Sequence, residues 1–161
     1  MRSLHYTLAL SAVLALSACS KKEEAPAAAP AAEPAAAAPV AEIKSAPAPE
    51  GAKVFFVDLK DGAEVTSPFL VKFGAEGIEV AAAGEDKPNS GHHHLIIDGE
   101  VAPADAPIPA DEHYQHFGKG QTETMLELPA GTHTLQLEFG NYAHVPFNPA
   151  LVSDKITVTV K

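Results

Sequence analysis

The stretch His133-Thr134-Leu135-Gln136-Leu137-Glu138-Phe139 puts a hydrophobic or aromatic ring-bearing side chain at every second position and stops at the turn pair Gly140-Asn141. Successive side chains of an extended chain point to opposite faces, so His133, Leu135, Leu137 and Phe139 share one face of a β-strand. The same period of two recurs around it. Phe55, Val57 and Leu59 align in a first strand, and Phe69, Val71 and Phe73 in another. Leu126 with Leu128 form a third, and Ile156, Val158 and Val160 a last one. Lys60-Asp61-Gly62, Asp98-Gly99 and Pro129-Ala130-Gly131 supply the turns between runs. No helical periodicity of useful length interrupts them.

About seven short strands in roughly 110 residues predict an all-β domain over residues 52–161, an immunoglobulin-like antiparallel β-sandwich. The likeness is architectural, because the chain has one cysteine and no tryptophan and so lacks the antibody-type Cys…Trp…Cys signature. Two stretches break the alternation: Ala81–Asn89 is small and polar, and Val101–Phe117 holds three prolines. Long irregular loops in a compact domain are more often functional than accidental.

Composition narrows the function classes. The 161 residues carry a net charge of −10, which disfavours nucleic acid and anionic membrane surfaces as partners. A single cysteine excludes an internal disulfide framework and every Cys-rich zinc motif. All eleven glycines and all seven phenylalanines lie from Gly51 onward, so the first fifty residues cannot build a core.

Those fifty residues read as an address and a tether. Arg2 precedes a short apolar run, Thr7–Ala18, which is too short for a membrane-spanning helix of roughly 20 residues. Leu16-Ser17-Ala18-Cys19 resembles the lipobox of bacterial lipoproteins. The resemblance implies a signal peptide over residues 1–18, cut before Cys19, and a diacylglyceryl group on that cysteine. Ser20 at the next position favours, by the same resemblance, the outer membrane. Ser20–Glu50 then holds 13 alanines and 6 prolines in 31 residues. Proline blocks a continuous helix and alanine offers little surface for a core, so residues 19–51 are expected to be a lipidated cysteine and a disordered linker.

Seven of the eight histidines fall in the β domain. His92-His93-His94 opens a strand that runs through Leu95-Ile96-Ile97-Asp98. Alternation puts His92 and His94 on one face, about 6.5–7 Å apart along the strand, and His93 with Leu95 and Ile97 on the other. Two imidazoles so placed can share a metal ion at about 2.0–2.1 Å each; they can equally form a polar strand end with one hydrogen-bonded histidine. His113 and His116 lie in the proline-rich loop beside Asp111 and Glu112, where a turn would let an i,i+3 pair converge. His144 sits in the loop after the strand ending at Phe139. His133 shares a face with leucines and reads as a core histidine bonded to backbone. Loops cluster at the ends of sandwiches, so His92, His94, His113, His116 and His144 can meet at one end.

Other chemistry has little support. The chain has no G-x-S-x-G elbow, and Gly118-Lys119-Gly120-Gln121 lacks the spacing of a phosphate loop.

Three motifs resemble an uncharacterised bacterial family of small, His-rich, secreted or lipid-anchored proteins that is a domain of unknown function. They are Gly91-His92-His93-His94-Leu95-Ile96-Ile97-Asp98, His116-Phe117-Gly118-Lys119-Gly120-Gln121-Thr122-Glu123 and Gly131-Thr132-His133-Thr134-Leu135-Gln136-Leu137. The resemblance spans Lys53–Lys161 and implies a single envelope domain without an assigned activity. The last motif of the family looks like Gly-Asp-x-x-His-x-Pro-His; here Asn141 and Phe147 stand at the acid and the final histidine, while His144 matches.

The expected function is a non-enzymatic lipoprotein of the bacterial envelope. It would face the periplasm, be held at the outer membrane by Cys19, and bind a divalent transition metal, Zn or Cu(II), through those five histidines. The alternative is a periplasmic protein-interaction or structural module whose histidines only tie down loops. A hydrolase using metal-bound water would need an open coordination position, and nothing in the sequence shows one.

Overall fold

A computed structural model of the chain describes residues 45–161; the expected signal peptide and Cys19 lie outside the described residues. Nine strands follow in order: β1 (Lys53–Phe56), β2 (Ala63–Val65), β3 (Phe69–Glu76), β4 (Glu79–Val80), β5 (Ser90–Ile97), β6 (Tyr114–His116), β7 (Glu123–Leu126), β8 (Gly131–Gly140) and β9 (Ile156–Val160). The described residues hold no helix, and the all-β, two-sheet architecture expected from the period of two is the one adopted. One sheet has the order β1-β3-β7; the other runs β2-β9-β8-β5-β4, with β6 beside β4 on the outer edge of β5.

Three details differ from the expectation; the first strand ends at Phe56 and turns Val54 and Phe56, not Phe55 and Val57, toward the core. The strands beyond the expected seven or so, β2, β4 and β6, are two or three residues long. Segments that short carry no readable alternation. The β2–β9 and β4–β5 pairings are parallel, whereas an antiparallel sandwich was expected.

The core lies between the sheets, and alternation selects its members. Phe69, Val71 and Phe73 of β3, Leu126 of β7, Leu135, Leu137 and Phe139 of β8, and Ile156, Val158 and Val160 of β9 are all buried in one cluster. Leu95, Leu135, Leu137 and Phe139 are completely enclosed. Truncating one such leucine to alanine typically removes about 2–5 kcal/mol. In β1 the core face belongs to Val54 and Phe56; Phe55, on the opposite face, lies across Gly74.

The second face of the larger sheet is covered as well. Ala102 and Ile108 from the long β5–β6 connection, and Val145 and Pro146 from the β8–β9 connection, are buried over it. The Ile108 N–H donates to the His144 carbonyl at 2.8 Å, which joins the two coverings. Residues 45–49, assigned to the tether by composition, also belong here. The Ser45 hydroxyl donates to the Pro146 carbonyl at 2.6 Å, and the Asn148 N–H donates to the Ala46 carbonyl at 2.9 Å.

Candidate metal centre

The β5–β8 register sets the floor of the site. His92 stands opposite Gly140, His94 opposite Glu138 and Ile96 opposite Gln136, all on the covered outer face. His93, Leu95 and Ile97 pair with Phe139, Leu137 and Leu135 on the core face. On the other edge of β5, His116 of β6 stands directly across from His94. The tight loop after β8 returns His144 over Gly140. Four imidazoles therefore converge from three segments.

Their ring centroids are 4.9 Å apart for His92–His94 and His92–His144, and 5.0 Å for His92–His116 and His94–His116. His116–His144 and His94–His144 close the set at 4.7 and 5.9 Å. One ring nitrogen from each of His92, His94 and His116 lies within 4.8 Å of the others, close enough for these three to hold a metal ion. Nε2 of His116 and Nε2 of His144 approach to 3.1 Å.

Burial sets the electrostatics. His92 and His94 are enclosed, His144 is half-buried and His116 is exposed, so the cluster has a floor and a mouth. Neither ring nitrogen of His92 or His94 has a hydrogen-bond partner among the described residues. Burial lowers the His92 pKa to about 4, and that of His94 to about 2, with the neighbouring histidines pushing the same way. Burial and then His144 also lower that of His116. This favours the neutral form of His92, His94 and His116, the form in which imidazoles ligate metals.

The local chain is shaped to present these rings. His144 adopts a left-handed backbone conformation, φ 66°, which a non-glycine residue holds only where its surroundings impose it. The Asn141 side chain imposes it: its Oδ1 accepts the N–H groups of Ala143 (2.9 Å) and Val145 (3.1 Å). The Asn141 carbonyl accepts the His144 N–H at 2.9 Å. A Cβ at Gly118 would overlap the His116 ring at Cε1 and Nε2, so glycine there leaves room for the imidazole.

Of the five histidines expected to meet, the structure brings together His92, His94, His116 and His144. His113 stands apart. Tyr114–His116 is extended as β6, and residues three apart in extended chain point to opposite faces, so the i,i+3 pair does not converge. The His113 ring instead pairs through Nδ1 with the Ile97 carbonyl at 2.8 Å. His133 is half-buried and bonds the Pro129 carbonyl at 3.0 Å, as expected of a backbone-bonded histidine, and also Asp98 Oδ2 at 2.7 Å. That carboxylate is the first cause of its raised pKa. His93 is completely buried between Phe73 and Phe139, with centroids 5.4 and 4.9 Å away, and burial lowers its pKa to about 4.

Glu138 is the residue that pattern reading missed. Alternation on β8 assigns it to a polar outer face, yet it is completely buried there. Its Oε2 accepts the Ala102 N–H at 3.1 Å, and its Oε1 has no partner among the described residues. Burial raises its pKa to about 7, against the opposing pull of the Ala102 N–H. No sequence signal marks it, because its burial comes from a loop folding over the sheet.

Fold and site together define an all-β, two-sheet domain with a cluster of four imidazoles on the covered face of its larger sheet. The family model named Domain of unknown function (DUF4399) matches residues 71–161, more than half of the chain, and the chain belongs to that family. The match includes all four clustered histidines. No curated protein and no solved structure matches the chain.

Proposed function

We propose that the domain binds one divalent transition-metal ion, Zn(II) or Cu(II), through His92, His94, His116 and His144, and does so as a non-enzymatic envelope lipoprotein. The observation that carries the proposal is the mutual spacing of the rings. An imidazole ligating at about 2.0–2.1 Å puts its centroid about 3.2 Å from the ion, and four rings in a tetrahedron then have centroids about 5.2 Å apart. The six separations in this cluster run from 4.7 to 5.9 Å. A buried polar atom left without a partner costs about 1–3 kcal/mol, and an ion gives the enclosed rings the partner they lack. All-imidazole ligation without thiolate suits Zn(II) and Cu(II) better than Cu(I).

The location rests on the lipobox-like Leu16-Ser17-Ala18-Cys19. A diacylated Cys19 would hold the domain at the outer membrane, facing the periplasm, on the linker that ends at the strapped residues 45–49.

Calorimetric titration of the metal-free protein with Zn(II) and Cu(II) tests the binding. One saturable site per chain is expected, persisting at about pH 6 and weakening as pH falls to about 4, where the enclosed His92 begins to take up a proton. Absence of saturable binding tighter than roughly 10 μM, only about −7 kcal/mol, overturns it.

The 3.1 Å contact between His116 and His144 favours one second reading, because an N–H···N hydrogen bond at that length would tie β6 to the β8–β9 connection without a metal. The domain would then be a periplasmic interaction module with structural histidines. In that case its melting temperature is the same with chelator and with Zn(II).

A further inference from the structure

We infer that Glu138 is a positioning residue for the metal site: its free carboxylate oxygen accepts the ring N–H of His94 when the other nitrogen of His94 ligates a divalent ion. This rests on the metal-binding reading above and adds the residue that would orient its deepest ligand.

A neutral imidazole that gives one nitrogen to an ion carries its proton on the other, and metal-bound histidines almost always donate that N–H to a carboxylate, a carbonyl or water. His94 is enclosed, so water is not at hand, and neither of its ring nitrogens has a partner among the described residues. Its Nε2 leans toward Gly140, 3.2 Å from where a Cβ would stand there, in the row of His92 and hence toward the cluster. Nδ1 is left as the nitrogen that needs an acceptor. Directly across the strand pair stands Glu138, completely buried, with Oε1 unpartnered. Directly opposed residues of an antiparallel pair have Cβ atoms about 4.5–5.5 Å apart, within reach of a side-chain rotation.

The competing acceptor is Oε1 of Gln136, also buried and unpartnered. Gln136 stands opposite Ile96, one row further on, and its Nε2 is committed to the Ser153 carbonyl at 2.9 Å. Diagonal neighbours are about 7–8 Å apart, so Glu138 is the nearer acceptor. Glu138 also has the required valence. Its Oε2 already holds the Ala102 N–H, and its second carboxylate oxygen is left to accept another.

The test compares the full chain with Glu138→Gln. Zn(II) affinity is measured by competition with a chelator, and ring N–H signals of the Zn-loaded protein are followed by NMR. The variant is expected to bind Zn(II) about 10–100-fold more weakly. A protected ring N–H signal of His94 is expected in the loaded wild type and absent in the variant, while the metal-free melting temperature does not fall. Equal affinity with an unchanged His94 signal overturns the inference. If the wild type shows no saturable Zn(II) binding, the metal-binding reading fails and this inference with it. Should Glu138→Gln not fold, Glu138→Asp serves instead. It keeps the charge but is one methylene too short to span Ala102 and His94, so wild-type affinity in that variant also overturns the inference.

Discussion

Lowering the pH of the metal-free domain from 8 to 5 loads protons onto an unfolded chain that the folded chain cannot accept. A histidine in the unfolded state has a pKa near 6.5, whereas burial holds His92 and His93 at about 4 and His94 at about 2. A group with a depressed folded pKa leaves the unfolded state as the better proton binder, so stability falls as pH falls through 6.5. At pH 5 each of these three histidines costs about 2 kcal/mol, or about 6 kcal/mol together. His116, also lowered, acts in the same direction. Glu138 acts in the other: its folded pKa of about 7 stands above the ordinary 4.5, so it favours the folded state as pH falls. It returns between about 2 and 3 kcal/mol over the same interval. His133, whose pKa is raised, works with Glu138. The net loss is about 3 kcal/mol, a large part of the roughly 5–15 kcal/mol that holds a domain folded. Urea titrations in chelator measure it. At about 1–3 kcal/mol per molar urea, the midpoint should fall by about 1–3 M between pH 8 and pH 5. Saturating Zn(II) should stabilise the protein at both pH values, because the folded chain keeps His92 and His94 neutral at pH 5. A midpoint that stays constant, or rises toward pH 5, refutes the reasoning.

Two further outcomes follow from particular contacts. Gly118→Ala puts a methyl group where the His116 ring lies, at a position whose backbone alanine can adopt. Zn(II) affinity should drop about 10-fold or more, while the metal-free unfolding free energy stays within about 1 kcal/mol of wild type, read by calorimetry and urea titration. Asp98→Asn removes the carboxylate that raises the His133 pKa but retains a residue suited to the left-handed backbone at φ 51°. Asp98 stabilises above its ordinary pKa, and His133 below its own, so the variant should lose about 1 kcal/mol at pH 6 and less at pH 9. Paired urea titrations at the two pH values check this.

The loop pair shows where pattern reading ends. His113 and His116 were grouped because three residues of turn would bring them together. That segment instead pairs as a strand with β5, which separates the two and places His116 across from His94. The pairing depends on an edge of β5 that is free only because β4 covers no more than its first two residues. His144 was found as a loop histidine, but its approach to the others depends on Asn141 folding the loop back on itself.

The sequence by itself determined the all-β class, the strands that form the core, and the separation of His92 and His94 from His93. Each follows from the alternation of faces, a property of the extended chain that needs no partner. Tertiary structure alone decided that the outer face of the larger sheet is buried, that four imidazoles from three segments converge, and that Glu138 is enclosed across from His94. Those outcomes come from two irregular connections folding over the sheet and bonding to each other, as Ile108 does to His144. Contacts between segments remote in sequence leave no period to read. The histidines counted in the sequence were candidates; the convergence of four rings, two of them enclosed and without hydrogen-bond partners among the described residues, is what only the fold could supply.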